Sequence, residues 1–175
     1  LAEAYRRMGP EMGVHVAGGK GGASRKTPDQ IVRVADRRSL DGDRLVYTLF
    51  HRDAYNTVIE DLWLWDAVAQ NHRLLLQTGA QNFQADWSPD GKSLVFASNL
   101  NGDYEIWLLG FRPARLLRLT KQPGYDGDPC WSPDGAQIAF VSTRTGQKQI
   151  WIMGKDGDNL RQLTTGQAPS QDPDW

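Results

Sequence analysis

The sequence predicts an all-β protein assembled from repeated four-stranded units, and three observations carry that prediction. Trp87, Trp131 and Trp175 recur at a spacing of 44 residues. Residues 84–127 lie over 128–171 without a gap and share fourteen identities, among them Trp87-Ser88-Pro89-Asp90-Gly91 with Trp131-Ser132-Pro133-Asp134-Gly135 and Ile106-Trp107 with Ile150-Trp151. Within each copy, short runs of β-branched, aromatic and aliphatic residues alternate with turn-forming residues, as in pleated strands joined by tight turns. Four-stranded units recurring every ~40 to 45 residues are the signature of blades packed radially around an axis. The expected fold is a β-propeller with blades of four antiparallel strands, about three of them in this chain, belonging to a larger propeller of six blades or more.

Taken in chain order, residues 1–38 form a basic, Gly-rich segment outside the repeat, holding eight Lys and Arg against four acids. Leu1 to Met8 reads as the end of a helix stopped by Gly9-Pro10, and Val14 to Ala17 and Ile31 to Val34 read as short strands. Either one of these strands supplies the inner strand of the first blade, or the whole segment belongs to a preceding domain. Residues 39–83 form a degenerate blade. Ser39-Leu40-Asp41-Gly42 stands for the Ser-Pro-Asp-Gly turn, Arg38 takes the tryptophan position, and the spacing to the next copy is 49, the excess falling in a longer loop around His51 to Glu60.

Residues 84–127 form the second blade, with strands expected at Gln84 to Trp87, Ser93 to Ser98, Tyr104 to Leu109 and Leu116 to Thr120. In its first turn Pro89 presets φ at the second position, Asp90 suits the third and Gly91 tolerates the fourth. Residues 128–171 repeat the pattern, and residues 172–175 open a further blade, since Asp172-Pro173 before Trp175 echoes Asp128-Pro129 before Trp131. The repeat thus points to a piece of a longer protein. Trp107 and Trp151, beside Ile106 and Ile150, are expected to pack between neighbouring blades, because one sheet alone cannot bury both of its faces.

With 39% hydrophobic residues, 23% charged and a formal net charge of -1, the composition is that of an ordinary globular chain and lacks the basic imprint of nucleic-acid binding. Cys130 is the single cysteine, which excludes an internal disulfide or a multi-cysteine zinc cluster. No apolar run reaches the ~18 residues of a membrane-spanning helix, and Leu1 to Pro10 lacks the apolar stretch of a secretion signal.

The strings Trp131-Ser132-Pro133-Asp134-Gly135, Ile138-Ala139-Phe140-Val141-Ser142, Gln149-Ile150-Trp151-Ile152-Met153 and Leu160-Arg161-Gln162-Leu163-Thr164 closely resemble the TolB-type propeller repeat. The resemblance covers residues 84–175 strongly and 39–83 loosely. It implies a non-catalytic, protein-binding scaffold of the bacterial periplasm or another extracellular compartment, like TolB, whose six-bladed propeller binds the peptidoglycan-associated lipoprotein. Similar repeats also gate prolyl oligopeptidase-type and tricorn-like peptidases and serve as sensor propellers of bacterial regulators.

Motifs that would carry chemistry are missing. Gly18 to Thr27 has Arg25 and Lys20 where a phosphate loop needs glycine, so a turn-rich linker is expected there. Ser24 has Gly22 before it but Lys26 where the second glycine of a nucleophile elbow belongs. His15, His51 and His72 lack metal-type spacing, and Asp126 with Asp128, or Asp156 with Asp158, do not match a calcium loop. No catalytic residue, metal or cofactor is expected, and the expected partner is a protein.

Binding residues follow from blade geometry. Connections between the second and third strands, and from one blade to the next, emerge on one face: His51 to Glu60, Asn99 to Asp103, Lys121 to Gly127, Thr143 to Gln147 and Thr165 to Gln171. Tyr55, Tyr125, Asp126 and Arg144 are its candidate partner contacts, because aromatic and Arg side chains anchor interfaces.

Overall fold

The computed structural model describes residues 31–39 and 42–175. The expected helix at Leu1 to Met8, the strand at Val14 to Ala17, the linker at Gly18 to Thr27, and Leu40 and Asp41 lie outside the described residues. Twelve strands form three antiparallel sheets. The first contains β1 (Ile31–Arg38), β2 (Arg44–Arg52), β3 (Val58–Asp66) and β4 (Asn71–Leu76). The second contains β5 (Asn82–Trp87), β6 (Ser93–Ser98), β7 (Glu105–Phe111) and β8 (Ala114–Arg118). The third contains β9 (Asp126–Trp131), β10 (Gln137–Ser142), β11 (Gln149–Gly154) and β12 (Arg161–Gln162).

Register confirms the repeat at the level of hydrogen-bonded partners. Trp87 pairs with Leu94, Trp131 with Ile138 and Arg38 with Leu45, so Arg38 does occupy the tryptophan position. The first sheet takes Ile31–Arg38 as its opening strand, residues that the repeat alone left outside the blade. In the second sheet β8 starts at Ala114 and ends at Arg118, two residues ahead of expectation at each end, because the β7–β8 hairpin turns tightly at Arg112-Pro113.

Strand alternation sends neighbouring side chains to opposite faces, and both faces of the second sheet are buried. Leu94, Phe96 and Trp107 pack with Val46, Leu62 and Leu64 of the first sheet. Val95, Ile106 and Leu108 face the other way, onto Trp131, Ile138, Phe140 and Met153 of the third. The far side of the third sheet carries Cys130, Ala139 and Ile152, and the chain's last residues lie against it. There the Cys130 thiol donates to the Pro173 carbonyl at 3.2 Å, and Trp175 Nε1 donates to the Cys130 carbonyl at 3.4 Å.

The Ser-Pro-Asp-Gly turns repeat atom for atom. Gly91 N donates to Ser88 O, the Ser88 hydroxyl donates to Asp90 Oδ1, and Lys92 N donates to the same oxygen, at 2.8, 2.7 and 3.0 Å. Around Ser132, Asp134 and Ala136 the corresponding distances are 2.9, 2.6 and 2.9 Å. Gly91 and Gly135 have φ of +66° and +69°, the region open to glycine. These bonds to the ionised form, led by the serine hydroxyl, hold the Asp90 and Asp134 carboxyls below the usual range.

Candidate binding face at the channel mouth

The first strands of successive sheets, β1, β5 and β9, lie side by side and so mark the axis. Antiparallel order then gathers the β2–β3, β6–β7 and β10–β11 turns, with the connections between sheets, at one end. Each inner strand carries a bulge there. Gln84, Asp128 and Asp172 recur every 44 residues with φ of 55°, 49° and 54°, left-handed conformations that cost a non-glycine residue on the order of 1 kcal/mol. The second and third bulges are stitched together: Asp128 N donates to Gln84 Oε1 at 3.0 Å, and the Gln84 amide donates to the Asp128 carboxylate. Burial raises the affinity of the Asp128 carboxyl for its proton; the Asp172 charge adds to this and Lys148 opposes it.

Outside this stitch runs a row of aromatic rings. Phe83 and Tyr104 meet edge-on at 5.3 Å between centroids, Tyr104 and Tyr125 at 5.8 Å, and the Lys148 ammonium caps the Tyr125 ring at 5.5 Å. Backbone bonds hold the row: Asp126 N donates to Tyr104 O at 2.8 Å, and Tyr125 N to the Thr143 hydroxyl at 2.9 Å. The Tyr104 hydroxyl donates to Gln81, and the Tyr125 hydroxyl to Gln84 Oε1 at 3.3 Å. Burial pushes the Tyr125 phenol up to about 12, so it remains a neutral donor at any physiological pH.

Of the four contact residues expected from sequence, three come together and one stands apart. Tyr125 belongs to the aromatic row. Asp126 and Arg144 lie beneath it, only 2% and 9% exposed in their side chains, and form an ion pair at 2.7 Å. The Arg144 guanidinium is packed over Trp151 at 4.7 Å and Phe140 at 5.3 Å. Their position is that of groups fixing the β10–β11 turn. Tyr55 sits on a separate projection, 90% exposed.

The expected loop at His51 to Glu60 is largely strand. Phe50 pairs with Glu60, His51 with Ile59 and Arg52 with Val58, and the turn shrinks to residues 53–57. Asp53 Oδ1 accepts from Tyr55 N and Thr57 N, both at 2.8 Å, which holds the turn that presents Tyr55. Phe83, Tyr104, Lys148 and the bulge residues escaped the sequence reading. The 44-residue recurrence of Gln84, Asp128 and Asp172 was the available signal for the bulges; none marked the aromatic row, whose members are not equivalent in the repeat.

Among the described residues no group of three or more His, Cys, Asp or Glu side chains gathers as a metal site. Stacked sheets, inner strands around an axis and a hydrogen-bonded rim of turns define the chain as a set of β-propeller blades. Residues 27–175 match the family model described as TolB beta propeller domain, and the chain belongs to that family. In overall shape it is similar to TolB from Acinetobacter baumannii, with TM-score 0.66, 24% identity, and coverage of 77% of this chain and 32% of that one. Putative TolB from Agrobacterium tumefaciens superposes with TM-score 0.65 and 23% identity over 79% of this chain and 50% of its own. An acylaminoacyl peptidase from Pyrococcus horikoshii gives 0.63 at 12% identity, over 81% of this chain and 26% of that one. The chain thus spans half or less of the length of each of these proteins.

Proposed function

We propose that this chain is a non-catalytic, protein-binding scaffold of the TolB kind, acting in the periplasm as part of an envelope assembly. The observation that carries the reading is the aromatic row Phe83, Tyr104 and Tyr125 with Lys148, preformed at the channel mouth by bonds between two blades. Aromatic anchors already held in place lose little side-chain freedom on docking, and such residues dominate interface energies. Tyr55 at the hairpin tip and Tyr125 in the row are the proposed direct contacts, with Asp126 and Arg144 supporting the turn beneath Tyr125.

The test is calorimetric titration of the whole parent protein with the peptidoglycan-associated lipoprotein of its own source. Binding is expected, weakened about tenfold or more by Tyr125→Ala. Absence of binding would remove the reading. The match to acylaminoacyl peptidase supports a second one, a propeller that gates a peptidase domain. A parent reading frame that continues into a Gly-x-Ser-x-Gly elbow with later Asp and His would establish that alternative.

A further inference from the structure

At the end opposite the loop face, a cavity of about 640 Å³ opens between the second and third sheets. Lys92, Arg112 and Arg115 line it from the second sheet and Lys155 from the third, with Leu108 and Trp131 also in its wall. We propose that this groove binds a short acidic peptide segment of a partner protein, a site independent of the loop face.

The charge of the groove is not something the repeat requires. Its acids Asp90 and Asp134 are accounted for by the Ser-Pro-Asp-Gly turns, where each accepts two hydrogen bonds; Asp156 is the third acid in its wall. The cations have no such role. Lys92 makes one ion pair, with Asp90 at 3.6 Å, in which both side chains are more than half exposed and therefore weakly coupled. Arg112, Arg115 and Lys155 make none among the described residues.

The equivalent junction between the first and second sheets shows what the fold does without a ligand. By strand register and repeat spacing, Asp43 stands there for Lys92, Val68 for Arg112, Asn71 for Arg115 and Phe111 for Lys155. Phe111 packs on Trp87 at 5.6 Å, and the Arg44 guanidinium lies over the same ring at 5.0 Å. The protein's own side chains therefore cover Trp87. At the second junction Ser93 replaces Arg44 and Lys155 replaces Phe111, so neither cover exists and Trp131 borders open space. Gly110 keeps that space usable by its partner Arg115, whose Cγ would stand 2.9 Å from any added Cβ and whose stem therefore crosses bare backbone.

The cavity falls in the ~300 to 1,000 Å³ range of ligand sites and is far larger than one phosphate needs. Apolar surface from Leu108, Pro89, Pro113 and Trp131 is rimmed by four cations from two blades against three carboxylates, two of them already engaged in the turns. Arg112, Arg115 and Lys155, unpaired among the described residues, fit a segment that alternates carboxylate and apolar side chains.

The test is fluorescence anisotropy with a labelled, end-blocked Glu-Leu-Glu-Leu-Glu-Leu peptide and its Gln-for-Glu counterpart, added to the protein. Binding of the glutamate peptide is expected to be at least tenfold tighter and to weaken as salt rises. The double substitution Arg112→Ala with Arg115→Ala is expected to weaken it about tenfold. Lys155→Phe, which supplies the cover that Phe111 gives the first junction, should abolish it with the thermal midpoint retained. Equal binding of the two peptides, or binding unchanged in both variants, would overturn the proposal. Displacement of the peptide by inorganic phosphate at low millimolar concentration would also overturn it, as the mark of a small-anion site.

Discussion

The junction between the first and second sheets and the junction between the second and third are built on the same register, yet Phe111 and Arg44 lie against the tryptophan of one while a cavity borders the tryptophan of the other. In both, a tryptophan at the end of an inner strand abuts the neighbouring sheet, and Trp87 and Trp131 are buried to a similar degree, 6% and 8% exposed. In both, the core behind it is dense: Phe96 and Phe140 are at most 1% exposed. The difference lies at the rim, where Phe111 and Arg44 cover Trp87 and nothing equivalent covers Trp131. Core packing belongs to the repeat, whereas the rim is free to vary, which lets one propeller carry distinct sites at equivalent positions.

The largest expected effect tests the shared half of this comparison. Phe96→Ala and Phe140→Ala should each cost about 3 to 5 kcal/mol, the usual range for emptying a buried aromatic site, and should match within error in urea unfolding. A much smaller cost for Phe140→Ala would mean that the open rim reaches into the core of the second junction. The intermediate effect tests the rim. Phe111→Lys, which imitates the second junction at the first, is expected to lose about 1 to 2 kcal/mol. The reciprocal Lys155→Phe should leave stability within about 0.5 kcal/mol in the same denaturation curves, since Trp131 is already only 8% exposed.

The smallest effect separates the first sheet from the others through pH. His72 hydrogen-bonds Tyr47 Oη at 2.9 Å and stacks on Trp65 at 4.4 Å, and burial lowers its pKa below the ordinary 6.5. A depressed folded pKa means that the fold accommodates the neutral ring. Its contribution is fully present above pH 6.5 and is lost as pH falls through the lowered value. The thermal midpoint should therefore drop between pH 7 and pH 5 in the native protein and drop less in His72→Gln. Equal slopes in the two proteins would place the titrating group elsewhere.

Much of this architecture is legible in the residues. Trp107 and Trp151 were expected between blades and are there, because a large aromatic beside an aliphatic on a strand sends one to each face. The Ser-Pro-Asp-Gly turns form as written, since proline, aspartate and glycine each suit their own turn position. The extended β2–β3 hairpin reads as loop in the sequence because the spacing there is 49 residues rather than 44, and the excess is assigned to a longer loop around His51 to Glu60. Cross-strand pairing runs through that stretch nonetheless, and Asp61, 2% exposed, binds His51 at 3.0 Å. Asp126 and Arg144 were expected as contacts because they fall on the loop face and Arg often anchors interfaces, whereas the pairing of each with the other below the surface is visible only in the structure.

By itself the sequence determined the repeat, the Ser-Pro-Asp-Gly turns and the stacking of blades, because those depend on alternation, dihedral preference and a repeat spacing within one stretch of chain. Only the tertiary structure decided which side chains remain unpartnered once the sheets stack. Whether Lys155 is a surface lysine or the wall of a site depends on Ser93 across the junction, which leaves the space beside Trp131 uncovered. Such dependence between separate blades leaves no local pattern to read.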